Sequence, residues 1–362
     1  MDLLSRSGWG ATAMSTVLGR PAQPYRQASA GGGRPEPYLV VSGLGLTLPR
    51  NGQMVPILDD LSLHIEQGEV LGVVGESGSG KTMTALSILR LLPRGARLTG
   101  SIRLGGQELL DLTEAEMHQV RGARVGMIFQ EPVAALNPVF TVGAQLVAAI
   151  RAHQDLTRSD ARARAVELLR TVGLPDPGRR LRQYPHELSG GMCQRVMIAM
   201  AIASGARLLI ADEPTTALDV TIQDEIIRLI RRLAVESQIA VLFISHDLGL
   251  VARLCHRVVV MYAGQVLESG PASELLRSPL HPYTRALLRC VPDLRTVGVV
   301  RRGIPGSPPL PGTVPVGCRF RPRCEFAAEL CAAPQQLRPM AEDHHVRCAR
   351  AEWLAGREVE GR

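Results

Sequence analysis

Lysine is almost absent from this chain of 362 residues. Of its 41 Lys and Arg residues, only Lys81 is a lysine, and all the others are arginine. These arginines are scattered, with no run of five or more like charges. The net charge of +7 therefore does not by itself indicate a face for nucleic acid or an anionic membrane.

Aromatic residues are also scarce, at 3% against 45% hydrophobic residues, so the core must be aliphatic. No apolar stretch approaches the roughly 18 residues that span a bilayer. Residues 1 to 37 are rich in Gly, Ala, Ser and Pro and lack the apolar segment of a signal peptide. We expect a disordered tail there and a cytosolic chain, whose seven cysteines do not form structural disulfides.

Continuous apolar runs that are typical of buried strands alternate with helical patterns. This alternation predicts an α/β fold with a mainly parallel sheet covered on both faces. Between Gln130 and Pro185, amphipathic helices predict a helical insert, and after about residue 290 a Pro-, Gly- and Arg-rich stretch leads to a cysteine-bearing tail. The expected strands lie at 69–75, 124–130, 207–213, 240–246 and 256–270, with a helix at 81–92.

The lone lysine lies in a glycine-rich loop, GESGSGKT, between a predicted strand and a predicted helix. This stretch matches the phosphate-binding pattern G-x-x-x-x-G-K-[ST], and the strand–loop–helix context argues against a chance Gly-rich turn. A compact ammonium on a flexible stem can reach phosphates inside a tight backbone cradle, whereas a planar guanidinium is too wide. The candidate phosphate-binding residues are Gly75, Glu76, Ser77, Gly78, Ser79, Gly80, Lys81 and Thr82.

Two further motifs place polar residues at the ends of apolar segments. Asp212 and Glu213 end the apolar run LLIADE, where Asp212 suits a Mg²⁺ site and Glu213 suits a base for an attacking water. The alternative is a helix N-cap acid. The stretch LSGGM places Ser189, Gly190 and Gly191 at a second helix start that can bind an anion. One triphosphate could use both helix starts only if they came from facing molecules.

In their order and spacing, these motifs resemble those of the nucleotide-binding subunits of ABC transporters, over roughly residues 39 to 270. The resemblance also covers Gln130, ALD at 217–219 and His246 in ISHD. It implies a P-loop NTPase core with a mainly parallel sheet, an antiparallel β-subdomain, a helical insert and a small irregular C-terminal extension. It further implies Mg²⁺ and ATP, with two subunits enclosing two ATP molecules head to tail.

The resemblance assigns roles to single residues. Glu213, His246 and Gln130 are the implied catalytic residues, with His246 on the γ-phosphate and Gln130 on Mg²⁺ and the water. Asp219 would connect the two sites of the dimer. Taken alone, Gln130 could be a surface polar residue and His246 a core histidine. The implied Mg²⁺ ligands are Thr82, Gln130 and Asp212.

The chain departs from the family pattern at two places. Met192 replaces the usual last Gln of the signature and Cys193 follows it, but neither change removes the backbone or Ser contacts. The family normally stacks an aromatic residue on adenine, whereas this chain offers Leu46, Leu48 and Pro49. We expect aliphatic packing on the base, which leaves the preference for ATP over GTP open.

Four other stretches resemble the ATPase subunits of oligopeptide, dipeptide and nickel importers. They extend the resemblance to about residue 350 and imply peptide import, with nickel or another small solute as the alternative. The implied partners are a sibling ATPase subunit, two permeases and an extracytoplasmic binding protein, at the cytoplasmic face of the inner membrane. We expect an ATPase domain at 38–290, its helical subdomain at about 131–188, and the extension at 291–362. The stretches are QEPVAALNPVFTVGAQL, YPHELSGGM, SPLHPYTRALL and PGTVPVGCRFRPRC.

The extension carries Cys318, Cys324, Cys331 and Cys348, spaced C-x5-C-x6-C-x16-C. This spacing fits neither paired zinc ligands nor the bacterial ferredoxin pattern. Members of the resembled branch with such cysteines can bind a 4Fe-4S cluster, which we expect here, with zinc and free thiols as alternatives. Arg319, Arg321 and Arg323 could offset a cluster's charge. His344 and His345 are expected to be exposed polar residues, with zinc binding as the alternative, and Cys193, Cys255 and Cys290 to be inert core thiols.

Two rival functions make different predictions. A soluble ABC ATPase acting on nucleic acid would carry long coiled coils, a zinc hook or two cassettes, and the sequence has none of these. We therefore expect no nucleic-acid partner. A redox or iron sensor built on the cysteine tail would make ATP binding secondary.

Overall fold

The computed structural model describes residues 37–216, 218–291 and 303–355. The expected disordered tail lies outside these residues, apart from Pro37. The strands are β1 Leu39–Arg50, β2 Gln53–Ile65, β3 Val70–Val74, β4 Arg97–Leu104, β5 Gln107–Glu108, β6 Val125–Ile128, β7 Leu208–Asp212, β8 Ala240–Ile244, β9 Arg257–Tyr262, β10 Gln265–Pro271, β11 Arg338–Ala341 and β12 His344–Val346.

Helices connect and cover these strands. They are α1 Lys81–Ile88, α2 Glu114–Val120, α3 Pro132–Ala135, α4 Val142–Arg151, α5 Arg158–Thr171, α6 Pro177–Arg180, α7 Gly190–Ile202, α8 Val220–Glu236, α9 Leu248–Leu254, α10 Ala272–Leu275, α11 Pro282–Cys290 and α12 Ala351–Ala355. Within the described ranges, no helix combines the length and the apolar character that crossing a bilayer requires.

The main sheet has the order β11-β12-β10-β9-β3-β8-β7-β6. Its five strands β6, β7, β8, β3 and β9 are parallel neighbours, as the continuous apolar runs predict. Strands β3, β7 and β8 are buried at every residue because helices and a second sheet cover both faces. The carboxyl ends of β3 and β7 therefore bring the glycine loop and the acidic pair to one edge.

The second sheet is the expected antiparallel one, in the order β2-β1-β4-β5. Its side chains Leu39, Leu61 and Ile102 share one apolar cluster with Leu71 and Ile210 of the main sheet. This aliphatic contact holds the glycine loop between two packed sheets.

Helices α3 to α6 form the helical insert between β6 and α7. Thr141 and Thr157 cap α4 and α5 by accepting hydrogen bonds from the backbone N–H of Ala144 and Asp160. Apolar faces of α4, α5 and α7 pack into one cluster that continues to the main sheet. Through α7, the insert is thus joined to the main sheet, whose strand β7 carries the acidic pair.

The C-terminal extension is less irregular than expected, because its hairpin β11–β12 continues the main sheet next to β10. His344 is buried, and its Nε2 lies 2.9 Å from Oε1 of the fully buried Glu268. The expectation that His344 is exposed was therefore wrong, because sheet pairing carries it under the extension. His345 is half-buried.

The Glu268 carboxylate joins three segments of the chain. It accepts hydrogen bonds from the backbone N–H of Leu280 at 2.7 Å and of His281 at 3.0 Å, besides its contact with His344. A buried carboxylate with this set of partners binds β10, the start of α11 and β12 to one another.

We expect Glu268→Ala to loosen the extension, because it leaves buried donors without an acceptor. The loss should be about 3 kcal/mol, and the apparent melting temperature should fall by about 5 °C. Faster amide exchange in β12 would localise the effect. The control is Glu352→Ala, which removes only an exposed ion pair with Arg338 and should change stability little. Equal melting temperatures for the two variants would contradict the assignment.

Candidate nucleotide-binding site

The loop between β3 and α1 is packed closely enough to require glycine at two positions. A Cβ on Gly75 would lie 2.2 Å from the carbonyl oxygen of Met261. Gly80 has φ 103°, and a Cβ there would lie 2.7 Å from Cδ2 of Leu58. The strand β9 and the second sheet thus pack closely against the loop on two sides and restrict its conformation.

Lys81 is buried beneath this loop. Its Nζ donates to the carbonyl oxygens of Gly75 at 2.8 Å and Glu76 at 3.0 Å, so the side chain curls back under the loop. Burial lowers the pKa of Lys81, while the charges of Glu213, Asp212 and Glu76 act in the opposite direction. An ammonium held among carbonyls and carboxylates is placed to meet phosphate oxygens at this end of the loop.

Asp212 and Thr82 lie in contact at the end of β7 and the start of α1. Burial raises the pKa of Asp212, and repulsion by Glu213 adds to this, whereas the hydrogen bond from Thr82 and the charge of Lys81 oppose it. Oδ1 of Asp212 and Oγ of Ser79 are buried and have no hydrogen-bond partner among the described residues. A hydroxyl beside a carboxylate with an unsatisfied oxygen fits the hard-oxygen preference of Mg²⁺.

Three polar side chains converge on the Glu213 carboxylate. Its Oε2 lies 3.3 Å from Nε2 of Gln130, 3.2 Å from Nδ1 of His246 and 3.1 Å from Oγ1 of Thr216. Glu213 also has φ 47°, a conformation that costs a non-glycine residue energy and that clusters at functional sites. The residues expected from sequence to surround the attacking water therefore meet at one carboxylate.

Sequence reasoning missed Thr216. It lies three residues after Glu213, in the turn that follows β7, and its backbone N–H also donates to the Glu213 carbonyl oxygen at 3.2 Å. A hydroxyl at that spacing from an acid is the signal that would have identified it.

The signature and Asp219 form a second, exposed group. Ser189 caps α7 through the backbone N–H of Met192 at 3.4 Å, and Asp219 caps α8 through that of Ile222 at 3.0 Å. A Cβ on Gly191 would lie 2.7 Å from Cγ2 of Ile222, so the two helix starts are packed together. Ser189, Gly190 and Asp219 are exposed and thus accessible to another molecule.

The three residues that replace the base-stacking aromatic are not equally accessible. Leu46 is fully buried in the core between the sheets, so it is not available to a base. Leu48 is half-buried and Pro49 is exposed, which leaves these two as the aliphatic contacts.

The four cysteines of the extension line one pocket together with His281 and Arg321. Burial raises the pKa of Cys324 to about 12 and that of Cys348 to about 11. Within the described part of the chain, however, no group of three or more His, Cys, Asp or Glu is placed to hold a metal ion. The expected cluster is therefore not confirmed.

Two of the three arginines expected beside that site serve elsewhere. Arg319 pairs with Asp59 and Arg323 with Glu76, whereas Arg321 lines the cysteine pocket. These two arginines pair with carboxylates of the core because the extension lies against β2 and the glycine loop.

The remaining cysteines differ in burial. Cys193 and Cys255 are buried, and burial raises the pKa of both thiols, as expected for inert core residues. Cys290 at the end of α11 is only half-buried, so describing it as a core thiol was wrong.

Comparison with known proteins gives two family matches. Residues 58–216 match "ABC transporter", and residues 267–331 match "Oligopeptide/dipeptide transporter, C-terminal region". A protein of Brucella abortus (strain 2308) named as a peptide import ATP-binding protein is 48% identical over 86% of this chain and 94% of its own length. A Brucella ovis protein of the same description is 47% identical over 88% of this chain and 99% of its own.

Solved structures give the same assignment. A dimeric ATP-binding cassette bound to ADP and Pi in a post-hydrolysis state superimposes with a TM-score of 0.58 at 27% identity, over 65% of this chain and 98% of that one. The cbiO1 protein of Clostridium perfringens, part of the ABC transporter complex cbiONQ, gives 0.58 at 25% identity, over 66% and 90%. Because relatives that are nearly half identical cover most of its length, this chain belongs to the ABC transporter family as an ATP-hydrolysing cassette subunit.

Proposed function

We propose that this subunit hydrolyses ATP to energise the import of peptides. The observation that carries the ATPase role is the meeting of Lys81, Asp212 and Glu213 at one edge of the sheet. The match of residues 267–331 to the C-terminal region of oligopeptide/dipeptide transporters, together with the names of the Brucella relatives, supports peptides as the cargo.

In the proposed reaction, the protein positions the reactants and supplies charge. The N–H groups of the loop Gly75–Thr82 hold the phosphates, and Lys81 neutralises the terminal ones. Thr82, Asp212 and Gln130 would hold Mg²⁺, which offsets the charge on the phosphate oxygens. Glu213 orients and deprotonates the attacking water, and His246 holds both the γ-phosphate and Glu213 in place. Thr216 positions the Glu213 carboxylate, since it donates a hydrogen bond to the oxygen that Gln130 and His246 also contact.

We further propose that a second cassette completes each site. The exposed Ser189 and Gly190 of one subunit, with the buried Gly191 behind them, would close over the phosphates held by its partner, and Asp219 would connect the two sites. We propose a sibling subunit as this partner, with a second copy of the same chain as the alternative. The pair would act beneath two permeases at the cytoplasmic face of the inner membrane, with substrate delivered by an extracytoplasmic binding protein. The domain division at 38–290 and 291–362 belongs to the same proposal.

The cysteine pocket is proposed to hold a 4Fe-4S cluster through Cys318, Cys324, Cys331 and Cys348. Four thiols line one pocket and would supply the four thiolate ligands that such a cluster requires. When bound, the cluster would crosslink the extension, since its ligands come from four separate turns and loops. Arg321 at the pocket would offset part of its negative charge.

Replacing Lys81 tests the phosphate site. We expect both Lys81→Ala and Lys81→Arg to weaken ATP binding at least about 10-fold, because charge-assisted hydrogen bonds of roughly 1.5–3 kcal/mol are lost. Lys81→Arg is the matched control for charge, since its guanidinium is positive but too wide for the cradle. Equilibrium binding of a fluorescent ATP analogue measures the effect. Wild-type affinity in the alanine variant would refute the site.

Replacing Glu213 tests the base and the dimer together. Glu213→Gln should bind ATP normally but hydrolyse it about 1000-fold more slowly, because the water loses its proton acceptor. With slow hydrolysis, ATP should shift the variant to a dimer in size-exclusion chromatography, either alone or only after its sibling is added. The exposed Glu236→Gln at the end of α8 serves as the control. Normal turnover by Glu213→Gln would remove the assignment.

Iron analysis tests the cysteine pocket. Protein purified without oxygen should carry about four irons per chain and absorb in the visible range. Cys324→Ser should lower both values, whereas Cys290→Ser, outside the pocket, should change neither. Stoichiometric zinc, or four free thiols without metal, would contradict the cluster.

A further inference from the structure

The second residue of the phosphate loop is held from the far end of the chain. Nη1 of Arg323 lies 2.6 Å from Oε2 of Glu76, and Nη2 lies 3.0 Å from Oε1, which forms a two-pronged ion pair. The backbone N–H of Glu76 donates to Oη of Tyr283 in α11 at 2.8 Å. Both the carboxylate and the amide of Glu76 are therefore engaged by segments more than 200 residues further along the sequence.

Arg323 sits in a socket built for a guanidinium. Its side chain is only 5% exposed. Nε donates to the Pro305 carbonyl at 2.8 Å, Nη1 also donates to Oη of Tyr262 at 3.2 Å, and Nη2 to the Ile304 carbonyl at 3.3 Å. All five N–H donors thus have acceptors, which a lysine could not reproduce.

Aromatic rings complete this socket. The guanidinium carbon lies 5.7 Å from the ring centre of Tyr262 and 5.8 Å from that of Phe320. Tyr283 packs against both rings, with centroid distances of 4.7 Å and 5.2 Å. The side chain that binds Glu76 therefore has little freedom to move.

The position of Glu76 links this socket to the nucleotide. Its carbonyl oxygen accepts a hydrogen bond from Nζ of Lys81 at 3.0 Å, so its backbone forms part of the cradle. An unpaired carboxylate at the same residue would repel the phosphates. The two-pronged pair with Arg323 neutralises this carboxylate and fixes its orientation, which removes the repulsion and stabilises the loop conformation.

We propose that Arg323 of the extension is a positioning residue for ATP, which acts by holding Glu76 in the phosphate loop. The proposal rests on the proposed nucleotide site at Lys81. On this proposal the extension contributes to ATP affinity, since Arg323 contacts the loop itself.

The competing explanation is that Arg323 only anchors the extension. Arg347 offers a matched control, because it is also a buried arginine of the extension paired with a core carboxylate. Its Nη2 lies 3.0 Å from Oδ2 of Asp60, and its Nε donates to the Val266 carbonyl at 3.0 Å. Arg347→Gln therefore loosens the anchoring without touching Glu76.

The experiment compares ATP binding in the full chain, paired with its sibling if that is needed. We expect Arg323→Gln to raise the Kd of a fluorescent ATP analogue about 10-fold. The rate at saturating ATP should stay within about twofold, because the reacting groups are unchanged. Arg323→Lys, which keeps the charge and loses the fork, should give a smaller increase and replaces the Gln variant if that variant does not fold. Arg347→Gln should lower the melting temperature but leave Kd near the wild-type value.

The double variant Arg323→Gln/Glu76→Gln is the decisive arm. Removing both charges should restore most of the affinity that Arg323→Gln loses, which a purely structural role would not allow. Unchanged Kd in Arg323→Gln and Arg323→Lys, no recovery in the double variant, or an equal loss in Arg347→Gln would overturn the proposal. Failure of the wild-type chain to bind ATP would instead refute the nucleotide site itself.

Discussion

The buried ammonium of Lys81 beneath the glycine loop is the interaction on which the rest of the site depends. Burial of that charge is unfavourable unless carbonyls and carboxylates surround it, and the loop supplies the carbonyls of Gly75 and Glu76. Two carboxylates, those of Asp212 and Glu213, come from the end of β7, and their charges raise the Lys81 pKa against the effect of burial. Parallel strand order is what brings these groups to one edge, because β3 and β7 end on the same side with β8 between them.

The extension contacts both the lateral edge of the main sheet and the phosphate loop. Its hairpin covers β10, which would otherwise be an unpaired sheet edge, and buried polar contacts at Glu268 and Arg347 hold it there. The carbonyl oxygens of Ile304 and Pro305 accept hydrogen bonds from Arg323 and hold its side chain at the phosphate loop. The arginine that holds the phosphate loop and a cysteine of the pocket are consequently adjacent in sequence, since Cys324 follows Arg323.

The sequence predicted the core better than the extension, for a physical reason. Buried parallel strands are continuous apolar runs, so β3, β7 and β8 were recognisable, and the phosphate loop followed from its glycines and Lys81. The hairpin β11–β12 is short and polar, and only pairing with β10 makes it a strand. For the same reason the burial of His344 was missed, and Arg323 could not be assigned to Glu76, because a contact across 247 residues leaves no local pattern. Thr216 escaped because a turn hydroxyl serves many roles.

The charge balance of the site favours a nucleotide that arrives with a cation. Around the one ammonium of Lys81 lie the carboxylates of Asp212 and Glu213, while Arg323 already neutralises that of Glu76. A bare triphosphate would therefore add negative charge to a group that is already negative on balance. Mg²⁺ bound with ATP would offset part of this added negative charge and would give the unsatisfied oxygen of Asp212 a partner. The arginine of the extension thus leaves the carboxylates of Asp212 and Glu213 to be balanced by Lys81 and by the incoming metal.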